Sequence, residues 1–395
     1  MDKVFDEKNK CCGCSACVNI CPKGAISMEE DEEGFLYPVI DEEICIDCGM
    51  CRKVCDFKNG RLEKSELENK AYAARHKDEE VLLKSSSGGM FTAISDLCLE
   101  NGGVVYGAAF DENFNVYHKR TTTKEERNTL RGSKYVQSDI GDIFAQVKKD
   151  TENGENILFT GTPCQCAGLR SYLESAKCDT SKLILCDLVC HGVPSPMLWK
   201  EHIKRLEKKG KIKEYNFRSK VNGWSKNTEE VTYENGKEDY KSALSQEHKM
   251  LFYSHNALRP SCHECPYTNV SRLTDVTIAD YRGIEKNMPD FIDERGVSLI
   301  LLHTEKGYAV FDAIKDNLVV RECPIEKCLQ PQLMYPSWVS ENRDTFWQEY
   351  RAKGYDYVAK KYCGVGIYAG AKRYIKNIAR KIKVYDIVKK VLKKG

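Results

Sequence analysis

The sequence predicts a cysteine-rich N-terminal module, a larger mixed α/β domain and a helical C-terminal extension. Two observations lead to this prediction. Eight of the 20 cysteines fall in two runs within the first 60 residues. Beyond them, strand-like stretches alternate with helix-like ones, which is typical of a sheet with some parallel pairing. A chain of 395 residues, 41% of them hydrophobic, is long enough for two or three such units.

Composition sets the boundaries of these parts. Residues 1–60 hold the cysteine runs and leave little room for an apolar core, and residues 61–71 are polar and form a linker. Residues 72–340 carry the strand and helix patterns. Residues 341–395 form the extension, which ends in a basic tail.

The two cysteine runs repeat one spacing, C-x2-C-x2-C-x3-C, and the first run is followed by proline. This is the ligand pattern of a bacterial two-cluster ferredoxin, in which the fourth cysteine of each run binds the other 4Fe–4S cluster. The expected ligands of one cluster are Cys11, Cys14, Cys17 and Cys55. Those of the other are Cys45, Cys48, Cys51 and Cys21. Paired C-x2-C motifs also bind zinc, but two complete runs are more specific. Cys12 is an extra thiol outside the ligand set.

The α/β domain is predicted from four strand-like and four helix-like stretches. The strands lie at 102–110, 156–159, 182–190 and 297–303, and the helices at 90–101, 140–150, 164–175 and 195–209. Two further stretches, EYNFRSK and TEEVTYEN, are expected to form antiparallel strands.

Four cysteines of this domain can supply a further site. Cys164 and Cys190 follow apolar strands, at the ends where open α/β sheets bind ligands. Cys262 and Cys265 form a C-x2-C loop before a proline. Together they fit a third 4Fe–4S cluster, with a structural zinc ion or unrelated buried thiols as the alternatives. A nucleophilic role for Cys164 is disfavoured, because no motif ties a His or Asn to it.

Two small polar stretches are candidates for binding an organic cofactor. In KSSSGGMFTAI, residues 85–89 precede a helix whose first N–H groups suit a phosphate or the polar edge of a flavin. A serine cap followed by a flexible turn explains the same residues. In RGSKYVQS, Lys134 can face a cofactor phosphate or a reduced flavin, and a solvated surface position is the alternative.

Six ordered stretches resemble the family of the coenzyme F420 hydrogenase/dehydrogenase beta subunit. They are SSSGGMFTAI, GSKYVQS, FTGTPCQCAGLR, DLVCHGVPSP, SCHECPY and TIADYRGIEK, between residues 72 and 285. A ferredoxin module in front is a common arrangement in that family. The resemblance implies a flavin-binding α/β domain with FAD and its own 4Fe–4S cluster, held by Cys164, Cys190, Cys262 and Cys265.

The resemblance also implies which residues contact the flavin. The expected contacts are Ser86, Ser87, Gly88, Gly89, Ser133, Lys134, Tyr135, Gln137, Gly161, Thr162, Pro163, Asp280 and Arg282. The chain departs from the family at Arg282, where the family often has an aromatic pair after the aspartate. Lys134 and His191 are the candidate catalytic residues. His191 could donate a proton to a substrate beside the flavin, hydrogen-bond a cluster sulfur or cap a turn.

Targeting signals and charge bear on location and partners. No secretory signal or run of about 18 apolar residues is visible, and clustered thiols are typical of a reducing cytoplasm, so a cytoplasmic protein is expected. Residues 371–395 carry ten Lys or Arg and one Asp, and the rest of the chain is net negative. This basic amphipathic stretch predicts contact with an anionic membrane surface or an acidic partner. Packing on the core with solvated lysines is the alternative, and nucleic-acid binding is not expected.

These features predict an iron–sulfur flavoprotein oxidoreductase. Ferredoxin or another low-potential carrier would exchange electrons with the N-terminal clusters. FAD would exchange a hydride with an organic substrate or with the deazaflavin coenzyme F420. The alternative is an electron-transfer subunit that relays electrons to a separate catalytic partner. The family name does not fix the hydride partner, because relatives include ferredoxin-dependent reductases of other substrates.

Overall fold

The structure, a computed structural model, describes residues 4–60, 63, 65 and 67–363. The predicted basic tail at residues 371–395 lies outside these residues. As far as residue 363, the predicted C-terminal extension is helical.

Within the described residues the strands are short and fall into three sheets. They are β1 (Ile26–Glu30), β2 (Leu36–Ile40), β3 (Lys70–His76), β4 (Val104–Phe110), β5 (Val116–Thr121), β6 (Ile157–Gly161), β7 (Leu183–Leu188), β8 (Ile212–Ser219), β9 (Thr228–Tyr233), β10 (Glu238–Asp239), β11 (Val276–Asp280), β12 (Ser298–Leu302) and β13 (Leu318–Cys323).

The helices of the described residues range from single turns to about three turns. They are α1 (Ala16–Asn19), α2 (Met50–Lys53), α3 (Asp56–Asn59), α4 (Glu79–Leu83), α5 (Met90–Glu100), α6 (Lys124–Asn128), α7 (Ile143–Glu152), α8 (Pro163–Ser175), α9 (Pro196–Glu207), α10 (Glu247–Ser254), α11 (Ile284–Asn287), α12 (Glu305–Ile314), α13 (Ile325–Cys328), α14 (Arg343–Lys353) and α15 (Tyr355–Tyr362). In this part of the chain, none is long and apolar enough to cross a bilayer.

The central sheet has eight strands in the order β13–β3–β12–β11–β7–β6–β4–β5. β4, β6, β7 and β11 run parallel, and the strands on either side are antiparallel. The predicted mixed α/β fold with some parallel pairing is therefore confirmed. Because parallel strands share one carboxyl edge, the segments after β6, β7 and β11 meet on the same side of the sheet. Those segments carry Cys164, Cys190 and Arg282.

The predicted stretches correspond closely to observed elements. The four strand stretches become β4, β6, β7 and β12, and the four helical ones become α5, α7, α8 and α9. β8 and β9 pair in antiparallel fashion as expected, but with β10 they form a separate sheet. β5 and β13 were not predicted, because edge strands with one exposed face contain charged residues and lack a continuous apolar run.

The N-terminal module shares an apolar core with the α/β domain. Val54 of the module is buried in one cluster with Phe144 of α7 and Leu169 and Tyr172 of α8. A second core, which includes Ile94 of α5, contains side chains from the same sheet and from α12. The module therefore packs directly on the domain, with α8 as the element between them.

A glycine on α8 sets how closely the module approaches. A Cβ atom at Gly168 would lie 2.7 Å from the Sγ and 2.9 Å from the Cβ of Cys14. Real Cβ atoms do not approach other atoms this closely, so only glycine permits the observed contact. The Ser171 hydroxyl, one turn further along the same helix, donates to the Val54 carbonyl at 2.6 Å. α8 thus contacts the first cysteine loop at Gly168 and the end of the second cysteine run at Ser171.

We expect Gly168→Ala to weaken this packing. Inserting one methyl group into a filled contact destabilises proteins by about 1–3 kcal/mol, and the Cys14 loop would have to move to accept it. Thermal unfolding of the anaerobic protein measures the effect. Glu174→Gln, on the exposed face of the same helix, is the control, and should cost only about 0.2–1 kcal/mol. Equal midpoints for the wild type and Gly168→Ala would contradict the close approach.

Candidate functional site

The cysteines of the N-terminal module line two small cavities, each of about 20 Å³. The cysteines around one are Cys21, Cys45, Cys48 and Cys51. Those around the other are Cys11, Cys12, Cys14, Cys17 and Cys55. Each cavity therefore collects three cysteines of one run and the last cysteine of the other. This is the crossed arrangement that the spacing predicts.

Local backbone geometry turns the thiols inward. Gly13 lies just before the second cysteine of the first run and Gly49 just after the second cysteine of the second run, and both have positive φ angles, of 69° and 72°. Glycine adopts this conformation without a steric penalty, so each loop can fold back around its cavity. The N–H group of Ala25 donates to Cys21 Sγ at 3.3 Å. Such donors stabilise thiolate charge and tune the potentials of iron–sulfur clusters.

Burial governs the protonation of these thiols. Burial raises the pKa of Cys55 to about 12 and raises the pKa of Cys17. The thiolate forms of Cys17 and Cys55 are therefore favoured only when a cationic metal core is bound. In the described part of the chain, no three His, Cys, Asp or Glu side chains are grouped closely enough for a single metal ion. A cubane holds its thiolates further apart than one ion does.

The extra thiol, Cys12, lies between two cysteine sets. It is buried, and its side chain is within hydrogen-bonding reach of Cys14 and of Cys164. Cys14 belongs to the first cysteine run, and Cys164 lies at the start of α8. Cys12 therefore stands at the contact between the module and the α/β domain.

The four cysteines of the predicted third set come together at the carboxyl edge of the sheet. Burial raises the pKa of Cys190 and Cys262, and each is raised further by charge repulsion from nearby cysteines of the set. Burial, followed by repulsion from Cys164 and Cys262, likewise raises the pKa of Cys265. Backbone N–H groups face two of the sulfurs: Gly192 donates to Cys190 and Val193 to Cys262, both at 3.4 Å.

Cys164 differs from the other three. The hydrogen bond from Cys12 is the largest influence on its pKa, which is lowered to about 7 against the opposing effect of burial. The Thr162 hydroxyl lies 3.2 Å from the same sulfur. Thr162 also caps α8 through a reciprocal capping box with Gln165. The capped helix end thus fixes the position of Cys164 at the end of β6.

A larger cavity of about 280 Å³ adjoins this cysteine set. Its walls come from most of residues 85–92 and 130–138, from residues 186–193, from the ends of β6 and β11, from α10 and from the loop after α13. Cys190 belongs to the cavity wall and also lies among the other cysteines of the set. A molecule in the cavity would therefore be next to the third cysteine set.

Most predicted cofactor contacts line this cavity. They are Ser86, Ser87, Gly89, Ser133, Lys134, Tyr135, Gly161, Thr162, Asp280 and Arg282, together with His191. Ser86 and Ser133 join the first two segments, since the Ser133 N–H donates to Ser86 Oγ at 2.9 Å. Gly89 begins α5 with φ 89°, a conformation that favours glycine.

Three predicted contacts lie outside the cavity wall. Gly88 packs on the sheet, and its N–H group donates to Ser298 Oγ at 2.9 Å. Pro163 is buried in the first turn of α8, where a missing N–H costs nothing. Gln137 points toward the cysteine module and donates to the Cys12 carbonyl at 3.1 Å. The family resemblance assigns whole segments to the cofactor, and in the structure these three residues of the segments face away from the cavity.

Lys134 is half-buried in the cavity wall and has no carboxylate partner among the described residues. Its Nζ donates to the carbonyl oxygens of Thr129 and Arg131, at 3.2 and 2.9 Å. Burial lowers its pKa to about 7. Lys134 is therefore not a solvated surface lysine, and its charge is sensitive to what the cavity contains.

Asp280 is held by residues that the sequence did not single out. Buried Arg218 forms an ion pair with its carboxylate and also donates to the Tyr135 hydroxyl at 3.1 Å. The Trp224 indole N–H donates to Asp280 Oδ1 at 3.1 Å. These contacts join β8, the polar stretch at 131–138 and β11 across the cavity.

His191 has both ring nitrogens engaged within the protein. Its Nε2 lies 2.8 Å from Nε2 of His255, and its Nδ1 lies 3.1 Å from Nε2 of Gln332. Burial, followed by repulsion from His255 and Arg282, lowers its pKa to about 4. A neutral imidazole with both nitrogens occupied fits the hydrogen-bonding role better than the proton-donor role.

Other cavity residues come from segments without a readable motif. Phe252 and Tyr253 lie on α10, and Gln330 and Gln332 lie in the loop after α13. These segments are distant in sequence from the six motif stretches. Only the tertiary fold brings them to the carboxyl edge of the sheet.

The arrangement defines a class of protein: a ferredoxin-type cysteine module packed on an α/β domain that has a further cysteine set beside a cavity. Sequence comparisons agree with this class. Residues 10–59 match the 4Fe–4S dicluster domain. Residues 71–144 match the N-terminal part, and 154–327 the C-terminal part, of the coenzyme F420 hydrogenase/dehydrogenase beta subunit. The chain belongs to the family of this beta subunit, as its motifs predict.

Curated relatives carry names from F420 metabolism. The chain is 23% identical to a subunit of the F(420)H(2) dehydrogenase of Methanosarcina mazei, over 80% of this chain and 85% of that protein. It is 25% identical to the coenzyme F420-dependent sulfite reductase of Methanocaldococcus jannaschii, over 82% of this chain and 49% of that protein. A chain from the solved F420-reducing [NiFe] hydrogenase complex of Methanosarcina barkeri is 21% identical, with a TM-score of 0.47, over 76% of this chain and 92% of that one.

Iron content can test the crossed arrangement of the module. Cys48 and Cys21 line the same cavity. The double variant Cys48→Ser, Cys21→Ser is therefore expected to lose about four irons per chain, the content of one 4Fe–4S cluster. Cys14→Ser combined with Cys21→Ser affects both cavities and should lose about eight. Iron and sulfide assays on anaerobically purified protein measure both. The reverse order of losses would indicate that each run binds its own cluster.

Proposed function

We propose that this chain is an iron–sulfur flavoprotein that passes electrons between its N-terminal 4Fe–4S clusters and FAD. The observation that supports it is the continuous series of sites from the protein surface to the large cavity. The two module cavities come first, the third cysteine set follows across Cys12, and Cys190 adjoins the large cavity.

The outer end of this series suits exchange with a redox partner. Cys48 is exposed, and the apolar side chains of Ile44 and Ile46 beside it are exposed as well. Exposed apolar side chains around a redox site favour transient docking. A ferredoxin, another low-potential carrier or a partner oxidoreductase would dock here. The relative from M. mazei, which is named as one component of a dehydrogenase, supports the partner interpretation.

The proposal assigns three groups of cluster ligands. Cys11, Cys14, Cys17 and Cys55 would hold the inner cluster of the module, and Cys45, Cys48, Cys51 and Cys21 the outer one. Cys164, Cys190, Cys262 and Cys265 would hold a third cluster. Their burial and mutual repulsion fit thiolates that are stabilised by a shared cationic core.

The large cavity fits an anionic dinucleotide such as FAD. Its wall contains four cationic side chains, Arg131, Lys134, Arg218 and Arg282, against the carboxylates of Asp187 and Asp280. The loop before α5 presents N–H groups at a helix N-terminus, which favours a phosphate. The aromatic side chains of Tyr135, Phe252 and Tyr253 offer flat apolar surface for a ring system.

A flavin bound there would accept electrons one at a time from the clusters and exchange two with an organic molecule as a hydride. In this proposal Lys134 supplies positive charge at the cavity wall. Arg218 and Asp280 fix Tyr135 and the end of β11, and His191 positions the wall next to Cys190. The hydride partner is coenzyme F420 or another organic substrate. The relatives named for F420 support the deazaflavin.

An electron-relay subunit without its own substrate is the second candidate. It would use the two module clusters but deliver electrons to a separate catalytic protein.

The proposed parts of the chain remain the module at 1–60, the linker at 61–71, the flavin domain at 72–340 and the extension at 341–395. A cytoplasmic location, with membrane-surface contact through residues 371–395, belongs to the same proposal.

Cofactor content separates these two candidates. Anaerobic purification followed by iron, sulfide and flavin assays should give about twelve irons and one FAD per chain. Reduced F420 should then reduce a one-electron dye such as methyl viologen through the purified chain. About eight irons without flavin, and no turnover with F420, would contradict the flavoprotein proposal and leave the relay.

The pKa of Lys134 predicts how flavin affinity depends on pH. Since its pKa is lowered to about 7, the lysine loses its charge as the pH rises through about 7, and an anionic cofactor loses one attraction. FAD affinity for flavin-free protein should fall about fivefold between about pH 6 and pH 8, roughly 1 kcal/mol of charge interaction. Isothermal titration measures this. The Lys134→Arg variant should bind FAD with an affinity that does not change over this pH range. The Lys134→Met variant should bind FAD weakly, and its affinity should not depend on pH either. A slope that persists in Lys134→Met would exclude Lys134 as its cause.

A further inference from the structure

Arg259 is a fully buried cation that lacks a carboxylate partner in the described part of the chain. Its side chain is among the largest with no exposed surface, and no Asp or Glu of the described residues forms an ion pair with it. Arginine remains charged in proteins. A buried charge without an opposite charge is strongly disfavoured, so the fold must supply a negative charge from another source.

Neutral partners satisfy most of its hydrogen bonds. The guanidinium donates to the carbonyl oxygens of Cys11 and Leu36 and to Gln137 Oε1, each at 2.9 Å. The Tyr37 ring lies 4.2 Å from its central carbon. These contacts hold the group in one orientation, but none of them neutralises its charge.

The charges near Arg259 are those of two cysteine sets. Nη2 lies 3.8 Å from Cys11 Sγ, which belongs to the inner cavity of the module. The Arg259 backbone carbonyl accepts from the N–H of Cys262, a member of the third set, at 2.9 Å. Thiolates at Cys11 and Cys262, one from each set, interact favourably with the guanidinium.

The neighbouring cation provides a contrast. Arg343, which also acts on Cys262, forms an ion pair with Glu33, so its charge is neutralised within the protein. Arg259 has no such partner among the residues that the structure describes. A Cβ atom at Gly13 would lie 2.9 Å from Nη1 of Arg259, so the first cysteine loop leaves space for this guanidinium through a glycine.

We propose that Arg259 is the shared counter-cation of the inner module cluster and the third cluster, and that it raises the reduction potentials of both. This inference rests on the cluster ligands proposed above. One electron enters each cluster on reduction, no bond forms or breaks, and no proton is taken up. The cluster becomes more negative by one charge, and a fixed cation nearby stabilises that state. Arg259 therefore acts on electron transfer through the clusters beside it, whose reduced states its charge stabilises.

The outer cluster offers an internal control within the same molecule. Its expected ligands, Cys21, Cys45, Cys48 and Cys51, line the other module cavity. An effect of Arg259 should thus appear in two of three one-electron waves. A general loss of structure would shift all three or broaden them together.

The test is a redox titration of the reconstituted full chain, followed by electron paramagnetic resonance. Arg259→Gln removes the charge and should move two waves to more negative potential while the third stays. Arg259→Lys keeps the charge and should move them clearly less. Gln137→Glu leaves the arginine in place but puts a carboxylate beside it, and should move the same two waves in the negative direction. Should Arg259→Gln not fold, Gln137→Glu carries the test.

A buried arginine elsewhere provides the matched control. Arg127 forms an ion pair with Asp96 at 2.7 Å, away from the cysteine sets, so Arg127→Gln should leave all three waves in place. Waves of Arg259→Gln and Gln137→Glu that coincide with the wild type would overturn the inference. Equal shifts in the Lys and Gln variants of Arg259 would also overturn it. Fewer than three waves in the wild type would instead overturn the cluster assignment, which keeps the two failures distinct.

Discussion

The packing of α8 against the first cysteine loop is the contact on which the rest of the site depends. Gly168 lets the Cys14 loop approach α8 to van der Waals distance, and Cys164 lies in the first turn of the same helix. One rigid helix therefore fixes the module cysteines relative to the third set. Electron transfer between redox centres requires short separations, and a rigid contact of this kind would keep such separations fixed. Cys12 occupies the remaining space at the junction.

Charge balance in the buried interior follows a common pattern. Burial disfavours the thiolates of Cys190, Cys262 and Cys265, and the buried guanidinium of Arg259 has no carboxylate partner among the described residues. The negative charge of the thiolates and the positive charge of Arg259 compensate each other only when the cysteine sets bind metal. In the large cavity the balance is reversed, because cationic side chains outnumber carboxylates. An anionic molecule there would complete the balance in the same way as the clusters do at the junction.

The sequence predicts the sites that depend on local spacing. The crossed cysteine runs, the parallel strands and the loop before α5 each follow from residues that are close in the chain. Arg218 and Phe252 could not be found in this way, because only the sheet and the packing of α10 bring them to the cavity. Gln137 is the opposite case, a residue that the sequence assigns to the cavity but that does not face it. Its neighbours Tyr135 and Lys134 line the cavity, but the extended chain turns its side chain toward Cys12. Spacing predicts which segment reaches a site, and packing decides which side chains face it.

The burial of the inner module cavity has a consequence for how the protein is assembled. Cys17 is buried and the Cys14 loop is covered by α8, whereas Cys48 is exposed. Iron, sulfide and oxidants therefore reach Cys48 more easily than Cys17 once the protein has folded. Assembly at the outer cysteines is correspondingly easier after folding, and oxidation of the module cysteines is expected to begin at Cys48.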